Sequence, residues 1–151
     1  MSVGEKLICS NKKARHDFVI NKTFEAGIVL KGSEVKSCRN GRVQLVDSFA
    51  MPEKGEIYLH KAHIAEYKQG GPFFNHEPVR KRKLLMHRKE IANLQAEIDK
   101  AGYTLVPLKM YFKRGKAKVE LGLAKGKTKG DKRQTLKKKD IDKKIRDATR
   151  R

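Results

Sequence analysis

The sequence predicts a mainly β fold with flanking helices: a small antiparallel closed β-barrel carrying a basic C-terminal tail. Three observations predict it. Apolar residues alternate at period two in six short runs, which is strand spacing. Those runs do not alternate strictly with helical stretches, which excludes a βαβ sheet. From Lys125 to Arg151, thirteen Lys or Arg and four Asp are relieved only by Leu136, Ile141, Ile145 and Ala148. So few apolar side chains cannot offset roughly 1–2 kcal/mol of backbone entropy per ordered residue. The expected division is a barrel domain over 1–124 and a tail over 125–151, disordered or conditionally helical.

Residues 1–10 are expected to fray. The first strand-like run, Asp17–Asn21, follows a basic stretch and sets Phe18 and Ile20 on one face. The second, Thr23–Lys31, aligns Phe24, Ala26, Ile28 and Leu30. Ser33 is a suitable N-cap for a short helix ending at Asn40-Gly41, with Glu34 and Arg39 complementing its dipole. Val43–His63 reads as a hairpin turning at Pro52–Gly55. Residues 64–79 carry Gly70-Gly71-Pro72 and Pro78, which break regular structure. Leu84, Leu85, Ile91, Leu94 and Ile98 suggest the main helix, starting near Pro78 or His87 and ending at Ala101-Gly102. Tyr103–Phe112 and Lys116–Ala124 form a last hairpin about Lys113-Arg114-Gly115. Ala117, Val119, Leu121 and Leu123 point inward there, and Lys118 and Glu120 outward.

Net charge is +20; the tail supplies +9 of it, which leaves +11 on residues 1–124. Such an excess on both parts points to nucleic acid, because neutralising phosphates releases counterions. A membrane surface would call for an aromatic-rich amphipathic helix, and the tail contains no aromatic residue. No apolar run approaches the ~20 residues that span a bilayer, and the N-terminus lacks a signal-peptide core. Cys9 and Cys38 form no CxxC pair, so neither a disulfide framework nor a zinc ribbon is suggested. A reducing, cytoplasmic setting is the expectation.

Catalytic motifs are missing: there is no GxSxG, P-loop, HExxH or Cys/His dyad. His60 and His63 could supply two metal ligands, but a site needs three or four that converge. Binding is better supported. Lys12, Lys13, Arg15, His16 and the outward Lys118 put basic groups on a barrel-like body, the usual way of holding single-stranded or folded RNA. No helix-turn-helix or zinc finger directs the reading to DNA.

Several motifs then stand in a telling order: Asn11-Lys-Lys-Ala-Arg-His-Asp17, Phe24-Glu-Ala-Gly-Ile-Val-Leu30, Gly32-Ser-Glu-Val-Lys-Ser37, Asp47-Ser-Phe49, Arg82-Lys-Leu-Leu85, Pro107-Leu-Lys-Met-Tyr-Phe112, Lys118–Lys127 and Asp131-Lys-Arg133. In this order they resemble the SsrA-binding protein (small protein B) family. The likeness runs continuously from residue 11 to about 133 and covers the tail by character.

The resemblance implies an OB-like closed barrel that binds transfer-messenger RNA (tmRNA), a non-enzymatic adaptor for trans-translation delivering alanyl-tmRNA to stalled ribosomes. It implies an RNA-facing surface containing Asn11, Lys12, Arg15, His16, Glu25, Leu85 and Lys118. Glu25 would accept from base or 2′-hydroxyl donors while lysines hold phosphates, and Leu85 would be an apolar platform rather than core. It further implies that Lys125, Lys127, Lys129, Asp131, Lys132, Arg133, Ile141 and Ile145 face the decoding region of the small ribosomal subunit. Elongation factor Tu would join in a ternary delivery complex; a monomer without cofactor or metal is expected. The tail can pair Asp140 with Lys144 and Asp142 with Arg146 as a helix. Gly130 departs from the family's frequent histidine or aromatic before Asp-Lys-Arg, where stacking is worth on the order of 1–3 kcal/mol. Cys38 replaces a frequent leucine. Two rival readings are a ribosomal or ribosome-assembly protein with a basic arm, and a nuclease using Glu25, Glu120 and the histidines.

Overall fold

Nine strands and three α-helices succeed one another along residues 5–71 and 74–126, the residues the computed structural model describes. The order is β1 (Glu5–Ser10), α1 (Lys12–Asp17), β2 (Phe18–Ile28), α2 (Gly32–Arg39), β3 (Val43–Gln44), β4 (Phe49–Glu53), β5 (Glu56–His60), β6 (His63–Ile64), β7 (Arg82–Leu85), α3 (Arg88–Ala101), β8 (Thr104–Lys113) and β9 (Lys116–Gly126). A 3-10 turn covers Lys68–Gly70. Every strand pairing is antiparallel, and β8 pairs with both β4 and β9, so β8-β4-β5-β7-β2-β9 returns on itself as a ring. The expected mainly β architecture with flanking helices is therefore present. None of the helices among the described residues is long and apolar enough to cross a membrane.

Several elements differ from expectation. Residues 5–10 do not fray: they add a strand to β8, from Glu5↔Lys113 to Ser10↔Lys109. A bulge between Leu7 and Cys9 lets Ile8 and Cys9 both pack against the core, which hides the strand's alternation in the sequence. The basic stretch after it is helix α1, capped by Asn11 and burying only Ala14. One apolar residue in six leaves no helical period to read.

The two runs expected over 17–31 are one strand, β2, with a bulge between Ile20 and Lys22. One extra residue reverses the pleat. Phe18 and Ile20 therefore pack outside the ring with Ala14, Val106, Leu108 and Ala124, while Phe24, Ala26 and Ile28 join the interior. Gly122 makes the outer cluster possible, because a Cβ there would lie 3.1 Å from both Ile20 and Leu108.

The long strand expected over Val43–Met51 is broken. Asp47 has φ 63°, and the Ser48 amide and hydroxyl both donate to the Leu45 carbonyl. The turn lies at Lys54-Gly55, within the expected Pro52–Gly55, and Pro52 itself is inside β4 opposite Ile57. Positive φ at both turn residues (50° and 80°) matches the right-handed twist of the strands.

Leu84 and Leu85 lie on strand β7, not on the main helix, which begins at Arg88 after His87 and closes at left-handed Gly102. As strand neighbours they face opposite ways: Leu84 into the core, Leu85 into solvent. The core is a continuous cluster of Ile57, Leu59, Ile64, Leu105, Met110, Val119, Leu121 and Leu123, completed by Ile91 and Leu94 of α3.

Ser33 is not the N-cap of α2; its hydroxyl bonds to Nδ1 of buried His76 at 2.8 Å. Glu34, in the first turn as expected, is wholly buried between two arginines. Its carboxylate takes Arg82 Nε at 2.5 Å, Arg80 Nε at 3.1 Å and the Lys31 amide at 2.7 Å. Arg82, also fully buried, sends its other nitrogens to the carbonyls of Ala62, Pro78 and Arg80. Burial pushes the Glu34 pKa up, but the hydrogen bonds from Arg80, Lys31 and Arg82 outweigh it and hold the carboxyl below its ordinary 4.5.

Glu34→Gln strands Arg82 in the interior and should lower unfolding free energy by about 3–5 kcal/mol, read by urea denaturation at neutral pH. The stability Glu34 contributes is present above its ordinary pKa of 4.5 and lost as pH falls through the depressed folded value. The wild-type protein should therefore lose more stability between pH 5 and pH 3 than the Gln variant (about two pH units spanning the carboxylate range).

A candidate nucleic-acid interface

The outer faces of β7, β2, β9 and β8 form one continuous surface whose residues are set by register. Gly27 pairs with Leu85 on one side and Lys118 on the other, and Lys118 pairs with Tyr111. This produces a lateral row Leu85–Gly27–Lys118–Tyr111 across four strands. The next row joins Glu25 to Glu120 and Glu120 to Lys109. Lateral partners project from the same side of a sheet, so these side chains are neighbours.

Each element contributes for a local reason. Leu85 is 54% exposed because β7 spends its inward positions on Arg82 and Leu84. Gly27 leaves room for it: a Cβ there would lie 3.3 Å from the Leu85 Cβ. Leu30, Val35, Phe112 and Lys116 join these residues around a shallow depression of about 250 Å³. Helix α1 lies beside the second row, and its Arg15 reaches Glu120 at 3.6 Å while Lys109 reaches it at 3.4 Å.

Glu25 is the electrostatic centre. The Tyr111 hydroxyl donates to it, and Lys113 approaches at 3.4 Å. The Tyr111 hydrogen bond is the main cause that holds the Glu25 carboxyl below its ordinary range; slight burial opposes it, and Lys113 and Lys118 assist. Burial and the facing carboxylate lift the Tyr111 hydroxyl well above the usual tyrosine range. Glu25 is thus an exposed acceptor amid cations, its anionic form favoured, with Lys109 also 5.3 Å over the Tyr111 ring.

The structure brings Arg15, Glu25, Leu85 and Lys118 together. Lys12 is exposed on α1, and His16 is half-buried on the same helix with Nδ1 3.0 Å from Asp17. Asn11, expected on the RNA-facing surface, is instead only 4% exposed. Its amide donates to the Leu45 and Pro107 carbonyls and its oxygen caps Ala14, so in this structure it positions α1.

Lys125, expected in the tail, is a residue of β9 opposite Val19, its ammonium 4.6 Å over the Tyr103 ring. The strand thus runs two residues beyond the expected boundary at 124. Lys127, Lys129, Gly130, Asp131, Lys132, Arg133, Ile141 and Ile145 lie outside the described residues. His60 stacks on Phe49 and approaches Glu53 at 3.1 Å. Among the described residues no three His, Cys, Asp or Glu side chains gather where a metal could bind. Burial raises the thiols of Cys9 and Cys38 to about 11 and about 12, making both poor nucleophiles.

Sequence reasoning missed Lys109, Tyr111 and Lys113. Part of their signal was available: Lys109, Tyr111 and Lys113 stand at period two and all carry polar groups, but the bulge between Pro107 and Lys109 puts the earlier odd-numbered Leu105 in the core.

Comparison with known proteins defines the class. The family model described as SmpB protein matches residues 8–151, and the chain belongs to that family. Among its relatives, the SsrA-binding protein of Geobacillus thermodenitrificans is 58% identical over 151 residues, covering 99% of this chain and 97% of the relative. The SsrA-binding protein of Geobacter sulfurreducens is 58% identical over 148 residues, with 98% and 96% covered. A chain of the solved structure presented as "tmRNA-SmpB: a journey to the center of the bacterial ribosome" is 49% identical; it superposes with a TM-score of 0.68 over 85% of this chain and 93% of its own length.

Replacing Tyr111 with Phe removes the main hydrogen bond that depresses Glu25. The Glu25 carboxyl should then titrate at higher pH than in the wild type, as read from its side-chain carbon shift by NMR.

Proposed function

We propose that this protein binds tmRNA through the outer face of β7, β2, β9 and β8 and serves trans-translation on stalled ribosomes. The observation that carries the reading is the row Leu85–Gly27–Lys118, flanked by Glu25, in a chain of the SmpB family. Lys118 and Arg15 supply phosphate contacts, which set affinity and register. Glu25, an anion at neutral pH, accepts from the N–H of exocyclic amines or the O–H of 2′-hydroxyls, donors for which a lysine offers no acceptor. Leu85 offers an apolar surface for an unstacked base, and the bare backbone at Gly27 lets it approach closely.

The reading assigns no chemistry to the protein: it acts as an adaptor, and peptidyl transfer belongs to the ribosome. Residues 127–151 supply the second contact, with Asp131-Lys132-Arg133 and the Ile141–Ile145 segment engaging ribosomal RNA in the decoding region. With Gly130 where many members of the family carry a stacking residue, either Lys129 and the backbone compensate or that contact is absent. Elongation factor Tu carries the alanyl-tmRNA together with the protein, itself a monomer, in the cytoplasm.

RNA recovered from the purified protein and sequenced should be dominated by tmRNA; a population of unrelated transcripts would sink the reading. Lys118→Ala should weaken tmRNA binding and lessen the log–log salt slope by about 0.7–0.9, the value for one lost phosphate contact. A chain ended after Gly126 should retain most tmRNA affinity yet fail to tag stalled peptides in a translation assay. Loss of tmRNA affinity on that truncation would refute the division of labour.

A further inference from the structure

A second surface, separated from the first by α2, carries a different set of groups. Leu30 and Val35 belong to the depression beside Leu85 and Lys118, whereas Lys31 and Lys36 line another on an adjoining face of the helix. This second depression, about 600 Å³, is completed by Gly32, Tyr67, Phe74 and Asn75. Both charged side chains in its lining are lysines.

Phe74 is 82% exposed, by far the most exposed large apolar side chain among the described residues. A lone surface phenylalanine needs no explanation by itself. Here, however, the flanking backbone is anchored on purpose-built contacts. Asn75 accepts from the Tyr67 amide and donates to the Tyr67 carbonyl, both at 2.8 Å, and donates to Gly71 at 3.1 Å. Next to it, buried His76 donates from Nε2 to the Ile64 carbonyl at 2.8 Å, leaving Nδ1 to accept from Ser33. The loop is tied to β6 and α2 immediately beside Phe74, and still the ring is held away from the core. Tyr67 already binds a cation through its ring face, with Lys36 at 5.1 Å.

We propose that Phe74, Tyr67, Lys31 and Lys36 form a second RNA subsite, taking an unpaired nucleotide segment whose base stacks on Phe74. Lys31 and Lys36 neutralise the flanking phosphates, and the positive end of α2 at Gly32 adds to their field. RNA suits the surface better than a protein partner, because every charge in the lining is positive and the exposed apolar group is a flat ring. Together with the Leu85–Lys118 face, the subsite would let the protein hold two RNA segments on adjoining faces of α2. It goes beyond the tmRNA reading and does not depend on which RNA fills the first face.

The chain contains no tryptophan, so Phe74→Trp creates a single fluorescent reporter in the full-length protein. Titration with a short oligouridylate should quench that reporter, and added salt should restore it. Phe74→Ala should weaken oligouridylate binding by about 5- to 150-fold, the range for one lost stacking contact. Lys31→Ala with Lys36→Ala should weaken it further and flatten its salt dependence. An unquenched tryptophan at saturating oligouridylate, or Phe74→Ala affinity within twofold of wild type, overturns the proposal. Lys118→Ala serves as the comparison: loss of tmRNA binding there, with a silent Phe74→Trp reporter, would refute this subsite and leave the tmRNA interface standing.

Discussion

The carboxylate of Glu34, buried between Arg80 and Arg82, is the interaction on which the remaining architecture depends. Removing these charges from water costs several kcal/mol per ion, and only dense hydrogen bonding repays it. The cluster supplies that density, since Arg82 alone reaches Glu34 and three backbone carbonyls. Those carbonyls belong to the segment after β5 and to the approach to β7, while Glu34 belongs to α2. One buried guanidinium thereby fixes three stretches that are distant in sequence.

That placement matters because the ring closes through few bonds. Strand β7 meets β2 only at Gly27↔Leu85 and Ile28↔Leu84, with one further bond from the Val29 amide to Lys83. So short a pairing would not hold by itself; β7 is held from its other end by Arg82. The same strand delivers Leu85 to the outer face beside Lys118. The interior ion pair and the exterior binding row are thus linked through four residues of one strand. The second surface shares the dependence, because Ser33 and Lys36 ride on the helix that Glu34 anchors.

The candidate interface combines groups that would normally oppose each other. A carboxylate at the centre of a basic face reduces non-specific phosphate attraction, which every lysine provides irrespective of sequence. Tyr111 donates to that carboxylate, favours its anionic form and fixes its direction. In the proposed function, this arrangement would distinguish an RNA offering hydrogen-bond donors at one point from a uniform anionic surface. Asn11 shows the complementary lesson: a residue at the edge of the site contributes by holding α1 in place, so that Arg15 reaches the sheet.

By itself the sequence determined the strand-rich class, the two runs of β2, the last hairpin with its outward Lys118 and the excess of charge. These are local properties: period-two alternation, turn residues and composition act over a few residues and need no partner to be read. Its motifs also carried the family. Only the tertiary structure decided the rest. Leu85 and Leu84 satisfy helical spacing with Ile91 and Leu94, yet the buried Arg82 holds them in a strand, because an ion pair across 48 residues outweighs a local period. Bulges at Leu7–Cys9 and Ile20–Lys22 reverse the pleat in ways alternation cannot announce. The row from Leu85 to Tyr111 joins residues from four strands, and register between distant strands is set by packing of the whole ring, which no single segment encodes.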